Sequence, residues 1–125
     1  MAQRYKNLVA WQKAMDMVEA VYRLTESFPR REIYSLTDQM RRAAVSVPSN
    51  IAEGQAHFSK REFSRFLQHA RGSLAELETQ ILIAKRLWYT EDPQAQILLT
   101  QIEEVGRIVN GLVTSLRAEP SAATF

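Results

Sequence analysis

The stretch Ser59-Lys60-Arg61-Glu62-Phe63-Ser64-Arg65-Phe66-Leu67-Gln68-His69-Ala70-Arg71-Gly72-Ser73-Leu74-Ala75-Glu76-Leu77-Glu78-Thr79-Gln80-Ile81-Leu82-Ile83-Ala84-Lys85-Arg86-Leu87-Trp88 decides the fold. It opens as a capping box. The Ser59 hydroxyl can accept from the amide of Glu62, and the Glu62 carboxylate can reach back to the start of the helix. Phe63, Leu67, Ala70, Leu74, Leu77, Ile81, Ala84 and Trp88 then recur at alternating spacings of four and three. That rhythm keeps one apolar stripe on one side of a single long helix, which must be covered by other helices.

Three further helices are legible around it. Leu8, Trp11, Met15, Val18, Tyr22 and Thr25 form the first stripe, with Asn7 as its N-cap and Phe28-Pro29 as its end. Leu36, Met40, Ala43, Ala44, Val47 and Ile51 form the second, with Gly54 as its stop. Pro48 lies inside that stripe and has no amide to donate to Ala44, which predicts a kink or a break there. The fourth opens at Asp92-Pro93, a cap followed by proline at the first helical position. Its stripe is Leu98, Ile102, Val105, Val109, Leu112 and Leu116. The turn signal Asn110-Gly111 falls inside this stripe and yields to it. Short connectors favour antiparallel neighbours, so the expected fold is all-α, an up-down-up-down four-helix bundle over residues 8–117. Residues 1–7 read as an N-terminal extension and residues 118–125 as a disordered tail.

The bulk composition suits this fold. The 125 residues are 46% hydrophobic and 24% charged, enough to fill one core. Cysteine is absent, which rules out disulfides and thiolate metal sites. No apolar run approaches the ~20 residues of a membrane span, and Met1 to Asn7 lacks the apolar stretch of a secretory signal. The expectation is a cytoplasmic protein without a membrane partner.

A second series runs beside the core stripe of the third helix: Glu62, Phe66, His69, Ser73, Glu76, Gln80, Ile83 and Leu87. Phe66, Ile83 and Leu87 are apolar for a solvated face, and Gly72 and Ser73 are small enough for another helix to approach. The second helix has a polar counterpart in Gln39, Arg42, Ser46, Ser49, Asn50 and Glu53. Either the core face is wide, or these residues form a subunit interface with apolar anchors among polar pairs.

Charge is uneven along the chain. Residues 41–71 carry a net +4, from Arg41, Arg42, Lys60, Arg61, Arg65 and Arg71 against Glu53 and Glu62, whereas residues 87–125 carry −3. Ordinary solvated helix faces also accommodate such charges. The functional alternative takes Arg41, Lys60, Arg61, Arg65 and Arg71 as phosphate contacts, since a guanidinium can hold two phosphate oxygens at once. Arg42 can instead pair with Glu53 or with another subunit.

No catalytic pattern emerges. The chain has no Glu-x-x-His pair for a di-iron bundle, no His-Glu-x-x-His, no glycine-rich phosphate loop and no Gly-x-Ser-x-Gly. His69, Ser73 and Glu76 invite comparison with a triad, but a mid-helix serine has no spare amides for an oxyanion. The expectation is a non-enzymatic protein with no metal and no cofactor.

Three segments read together carry a resemblance. They are Leu8-Val9-Ala10-Trp11-Gln12-Lys13-Ala14-Met15, the run from Leu36 to Gly54 with its Ser46-Val47-Pro48-Ser49-Asn50-Ile51-Ala52-Glu53-Gly54 ending, and Gly72-Ser73-Leu74-Ala75-Glu76-Leu77-Glu78-Thr79-Gln80. Together they resemble bacterial four-helix bundle proteins named for reading frames inside intervening sequences of 23S ribosomal RNA genes. The resemblance spans residues 8–117 and implies a homopentamer. It also implies a distant relation to the accessory protein of diversity-generating retroelements, a basic pentamer that binds nucleic acid and a reverse transcriptase. Tyr34-Ser35-Leu36 stands where many relatives have Tyr-Gly-Leu. The motif residues here are Arg41, Arg42, Ser46, Pro48, Asn50, Glu53, Gly54, Ser59, Glu62, Ser73, Glu76 and Gln80. Many belong to the polar stripes, which favours an interface over idle surface. The expected partners are further copies of the chain, RNA or DNA, or another protein.

Overall fold

The computed structural model describes residues 4–118. A 3-10 turn, Arg4–Asn7, leads into α1 (Val9–Thr25). A second 3-10 turn, Arg30–Glu32, precedes α2 (Leu36–Ala56), and α3 (Lys60–Arg86) and α4 (Asp92–Ala118) complete the chain. Each helix packs on its two neighbours in the ring α1, α2, α3, α4, with α2 and α3 sharing the most extensive contact. The described residues therefore form the expected four-helix bundle, with no strands. No described helix is long and apolar enough to cross a membrane.

The core follows three of the four stripes closely. Leu36, Met40, Ala43, Ala44, Val47 and Ile51 of α2 are all buried, as are Leu67, Leu74, Leu77 and Ile81 of α3 and Leu98, Ile102, Val105 and Val109 of α4. Fully burying one such side chain contributes about 1.5–3 kcal/mol. Leu112 lies half-buried beside the core, so the stripe does prevail over the Asn110-Gly111 turn signal.

The first stripe needs correction. The innermost line of α1 is Ala10, Ala14, Met17, Val21 and Thr25, of which only Thr25 belongs to the stripe read from the sequence. Met15 and Tyr22 are exposed, and Leu8, Trp11 and Val18 flank the core. Small alanines on the inner line let α1 approach its neighbours closely, and the bulky side chains wedge into the margins. Asn7 is not the N-cap either: Leu8 holds that position with no side-chain cap. The amide of Leu8 donates to Tyr5 O at 3.0 Å, and Gln12 Nε2 donates to Lys6 O at 2.8 Å. Tyr5 and Trp11 meet edge to face at 5.4 Å between centroids. The 1–7 extension, over its described part, is thus packed against the bundle.

Two stop signals also act differently. α2 runs unbroken through Pro48 and continues past Gly54 to Ala56. Gly54 serves the helix crossing instead. A Cβ there would lie 2.7 Å from Phe66 Cβ and 3.4 Å from Phe63 Cα. At the other end of α3, Trp88 leaves the stripe altogether. The helix ends at Arg86, Trp88 has φ of 63°, and the side chain is 89% exposed. Tyr89 turns inward in its place. Its ring lies 5.5 Å from that of Phe28, and its hydroxyl donates to Glu32 Oε2 at 2.8 Å. That bond, with the Leu36 amide, holds the Glu32 carboxyl below the usual carboxylate range. The disordered tail predicted for 118–125 lies, beyond Ala118, outside the described residues.

Candidate nucleic-acid interface

In an up-down-up-down bundle the start of α1, the α2–α3 connection and the end of α4 share one pole. Here that pole is basic. Residues 4–7, 53–65 and 113–117 carry six cations (Arg4, Lys6, Lys60, Arg61, Arg65 and Arg117) against Glu53 and Glu62 alone, a net +4. The opposite pole, residues 23–38 and 85–92, carries five cations and five carboxylates, a net of zero. That neutral pole instead exposes Ile33, Tyr34, Leu87 and Trp88.

The basic pole is built on the α3 N-cap. Ser59 Oγ accepts from the Glu62 amide at 3.2 Å, as the capping box requires. The Glu62 carboxylate turns to Arg65, accepting from Nη2 at 2.8 Å and Nε at 3.2 Å. Arg65 is the main reason that the Glu62 carboxyl titrates below its ordinary range. The Arg65 guanidinium also lies 4.6 Å from the centroid of Phe66. Phe66 stacks on His57 at 5.2 Å and 14°, and His69 lies tilted to it at 6.1 Å. Arg4 lies 5.8 Å from the centroid of Phe58, bringing the N-terminal turn into the same cluster.

A polar seam runs along α2 and α3 away from this pole. The Ser46 and Ser73 hydroxyls meet across it. Asn50 Nδ2 donates to Ser46 O at 2.7 Å, and Gln80 Nε2 donates to Glu76 at 3.4 Å. Gln80 Oε1 is buried without a hydrogen-bond partner among the described residues. Ile83 and Leu87 continue the seam as exposed apolar residues, and Gln39, Arg42, Glu53, His69 and Glu76 are exposed along it.

The family model described as 23S rRNA-intervening sequence protein matches residues 6–111. The chain belongs to that family. No curated protein matches it. Arg4 and Arg117, both at the basic pole, lie outside the matched residues.

The structure divides the cations predicted as one site. Lys60, Arg61 and Arg65 gather at the basic pole, but Arg41 does not. It sits toward the other end of α2, fifteen residues from Ala56, or about 22 Å along the helix axis. Half-buried against α1, its Nε donates to Thr25 Oγ1 at 2.9 Å and its guanidinium covers the Tyr22 ring at 4.6 Å. Arg41 thus ties α2 to the C-terminal turn of α1. Arg71 is exposed about three turns into α3, well short of the pole. Closeness in sequence misled here, because an antiparallel hairpin carries residues 41 and 61 to opposite ends. Arg41→Ala should lower stability by about 1–2 kcal/mol through these lost contacts. Urea unfolding checks this, and nucleic-acid affinity should stay nearly unchanged.

Three interface expectations shift as well. Arg42 pairs with Asp38, one turn away at 2.9 Å, and not with Glu53, about 16 Å along the same helix. Phe66 and Gln80 are already buried within the single chain, so neither needs a second copy to cover it. The Ser73 hydroxyl, expected at a subunit interface, already meets that of Ser46 within the single chain. The pole residues that sequence reading missed are Arg4, Lys6 and Arg117. Their signal was topological: each lies at a chain position that an up-down-up-down bundle brings to the α2–α3 turn.

Proposed function

We propose that this protein is non-enzymatic, assembles with copies of itself, and binds RNA or DNA through its basic pole. The observation that carries the reading is the convergence of six cations on one pole while the other is neutral. Membership of a family named for an rRNA intervening sequence agrees with an RNA-related role. The resemblance to pentameric bundles, and the exposed apolar Ile83 and Leu87 that continue the seam, support an assembly. A ring of protomers would repeat the +4 pole several times on one face, where single weak contacts add up.

A structured RNA titrated by fluorescence anisotropy across a salt series tests the reading. With about four phosphates engaged per protomer, affinity should fall about a hundredfold between 50 and 200 mM salt. Absence of binding at the lower salt would remove the proposal. A second reading is a protein-interaction scaffold, favoured by the exposed Tyr34 and Trp88 on the neutral pole. Native mass measurement with and without RNA separates them. An assembly that never takes up RNA supports the scaffold, and a monomer under both conditions removes self-assembly from either.

A further inference from the structure

Phe58 is a large apolar ring that the basic pole leaves in solvent. It is 64% exposed, yet its backbone is fixed at φ of 54°, in the left-handed region that a phenylalanine seldom occupies. Both neighbours hold it there. His57 before it is stacked flat on Phe66, and Ser59 after it caps α3. The Phe58 amide donates to Gln55 O at 3.4 Å, closing the turn. Packing therefore over-determines a costly conformation whose result is a rigid ring facing outward. Arg4 reaches that ring, while Arg61 and the positively polarised start of α3 follow directly in the chain.

A face made only to hold duplex phosphates has no use for such a ring. Stacking is available only to a base that is not already paired and stacked inside a duplex. We infer that the basic pole binds single-stranded nucleic acid, with an unpaired base stacked on Phe58 and its flanking phosphates on Arg4 and Arg61. The inference rests on the nucleic-acid reading above and specifies its ligand. Arg4, 5.8 Å from the ring centroid, is near enough for its guanidinium to meet a phosphate flanking the stacked base. Arg4 lies over the ring, and the 64% exposure of Phe58 leaves surface for a base to stack on.

Phe58→Gly is the informative variant, because glycine accepts φ of 54° without strain and the fold should keep or raise its melting temperature. Phe58→Tyr keeps a stacking ring. The full-length assembly is titrated at low salt with four probes of about 12 nucleotides. These are single-stranded RNA, the same sequence as single-stranded DNA, the corresponding duplex, and an abasic DNA strand that keeps the phosphates alone. The wild type should bind the two base-bearing single strands more tightly than duplex or abasic strand. Preference between RNA and DNA then names the sugar. Phe58→Gly should weaken base-bearing single-strand binding about five- to a hundredfold and leave abasic binding unchanged, with Phe58→Tyr close to wild type. Equal single-strand affinity in Phe58→Gly overturns the inference, as does wild-type binding of duplex at least as tight as of single strands. A loss of native assembly mass in Phe58→Gly assigns the ring to a subunit contact and also overturns it. If the wild type binds none of the four probes, the proposed function itself fails and the inference falls with it.

Discussion

Gly54→Val should destabilise the protein by about 3 kcal/mol, a drop in melting temperature of roughly 10–15 °C. In most helical positions replacing glycine with a side chain is favourable or neutral, because glycine loses the most backbone freedom on folding. Gly54 reverses that sign. A Cβ there would stand 2.7 Å from Phe66 Cβ, 3.1 Å from Phe63 Cδ1 and 3.4 Å from Phe63 Cα. Phe66 Cβ and Phe63 Cα are anchored to the α3 backbone and cannot swing aside, so relief requires the two helices to separate. Close-packed interiors tolerate such shifts poorly. The branched valine adds two methyl groups at the same crossing. Gly72, Gly106 and Gly111 supply the contrast, since a Cβ at each meets nothing within 4 Å. Their alanine variants should each gain about 0.5–1 kcal/mol from helix propensity. Thermal and denaturant unfolding of the four variants settles the matter. A Gly54→Val variant as stable as the wild type would mean that α2 and α3 are not in close approach at this point. Because Arg61 and Arg65 share the first turns of α3 with Phe63, a displaced α3 would also disperse the basic pole.

Reversing Arg4, Arg61 and Arg117 to glutamate together should lower RNA affinity by about a thousandfold at low salt. The change takes the pole from +4 to −2, so attraction to phosphate becomes repulsion. All three side chains are exposed, and surface substitutions of this kind each change stability by only about 0.5 kcal/mol. Whole-molecule charge changes as well, so a matched variant is needed. Reversing Arg71, Arg86 and Arg107 makes the same change in net charge at exposed positions away from the pole. That variant should lose far less affinity, and its salt dependence should stay close to wild type. Equal losses in the two triple variants would mean that binding follows net charge alone and that the pole is not a site. The comparison also decides the role of Arg71, which the charge run along the sequence had grouped with the phosphate contacts.

Local signals proved dependable where the physics is local. The Ser59 hydroxyl oxygen accepts from the Glu62 amide as the tetrapeptide suggests, and the α2 stripe from Leu36 to Ile51 is buried throughout. Failures came where the answer lay on another helix. Gly54 looks like a helix stop until Phe66 is seen across from it. Trp88 fits the heptad, but Tyr89 takes the inward place because Phe28 and Glu32 wait for it on the facing turn. In α1, choosing the largest apolar residues picked the margins, since the close approach of neighbouring helices favours Ala10 and Ala14 at the centre.

The sequence by itself determined that four amphipathic helices form, that the third begins at the Ser59 cap, and which family the chain resembles. Those properties depend on caps, spacing and motif, all carried by residues a few positions apart. Only the tertiary structure decided which charges act together. Antiparallel packing moved Arg41 to the far end of α2, where Thr25 and Tyr22 hold it. The same packing drew Arg4, Lys6 and Arg117 to the α2–α3 turn from opposite ends of the chain. Coulomb interactions and ligand contacts fall off with distance in space, not along the chain. A site made of helix ends therefore becomes legible only once the helices are placed.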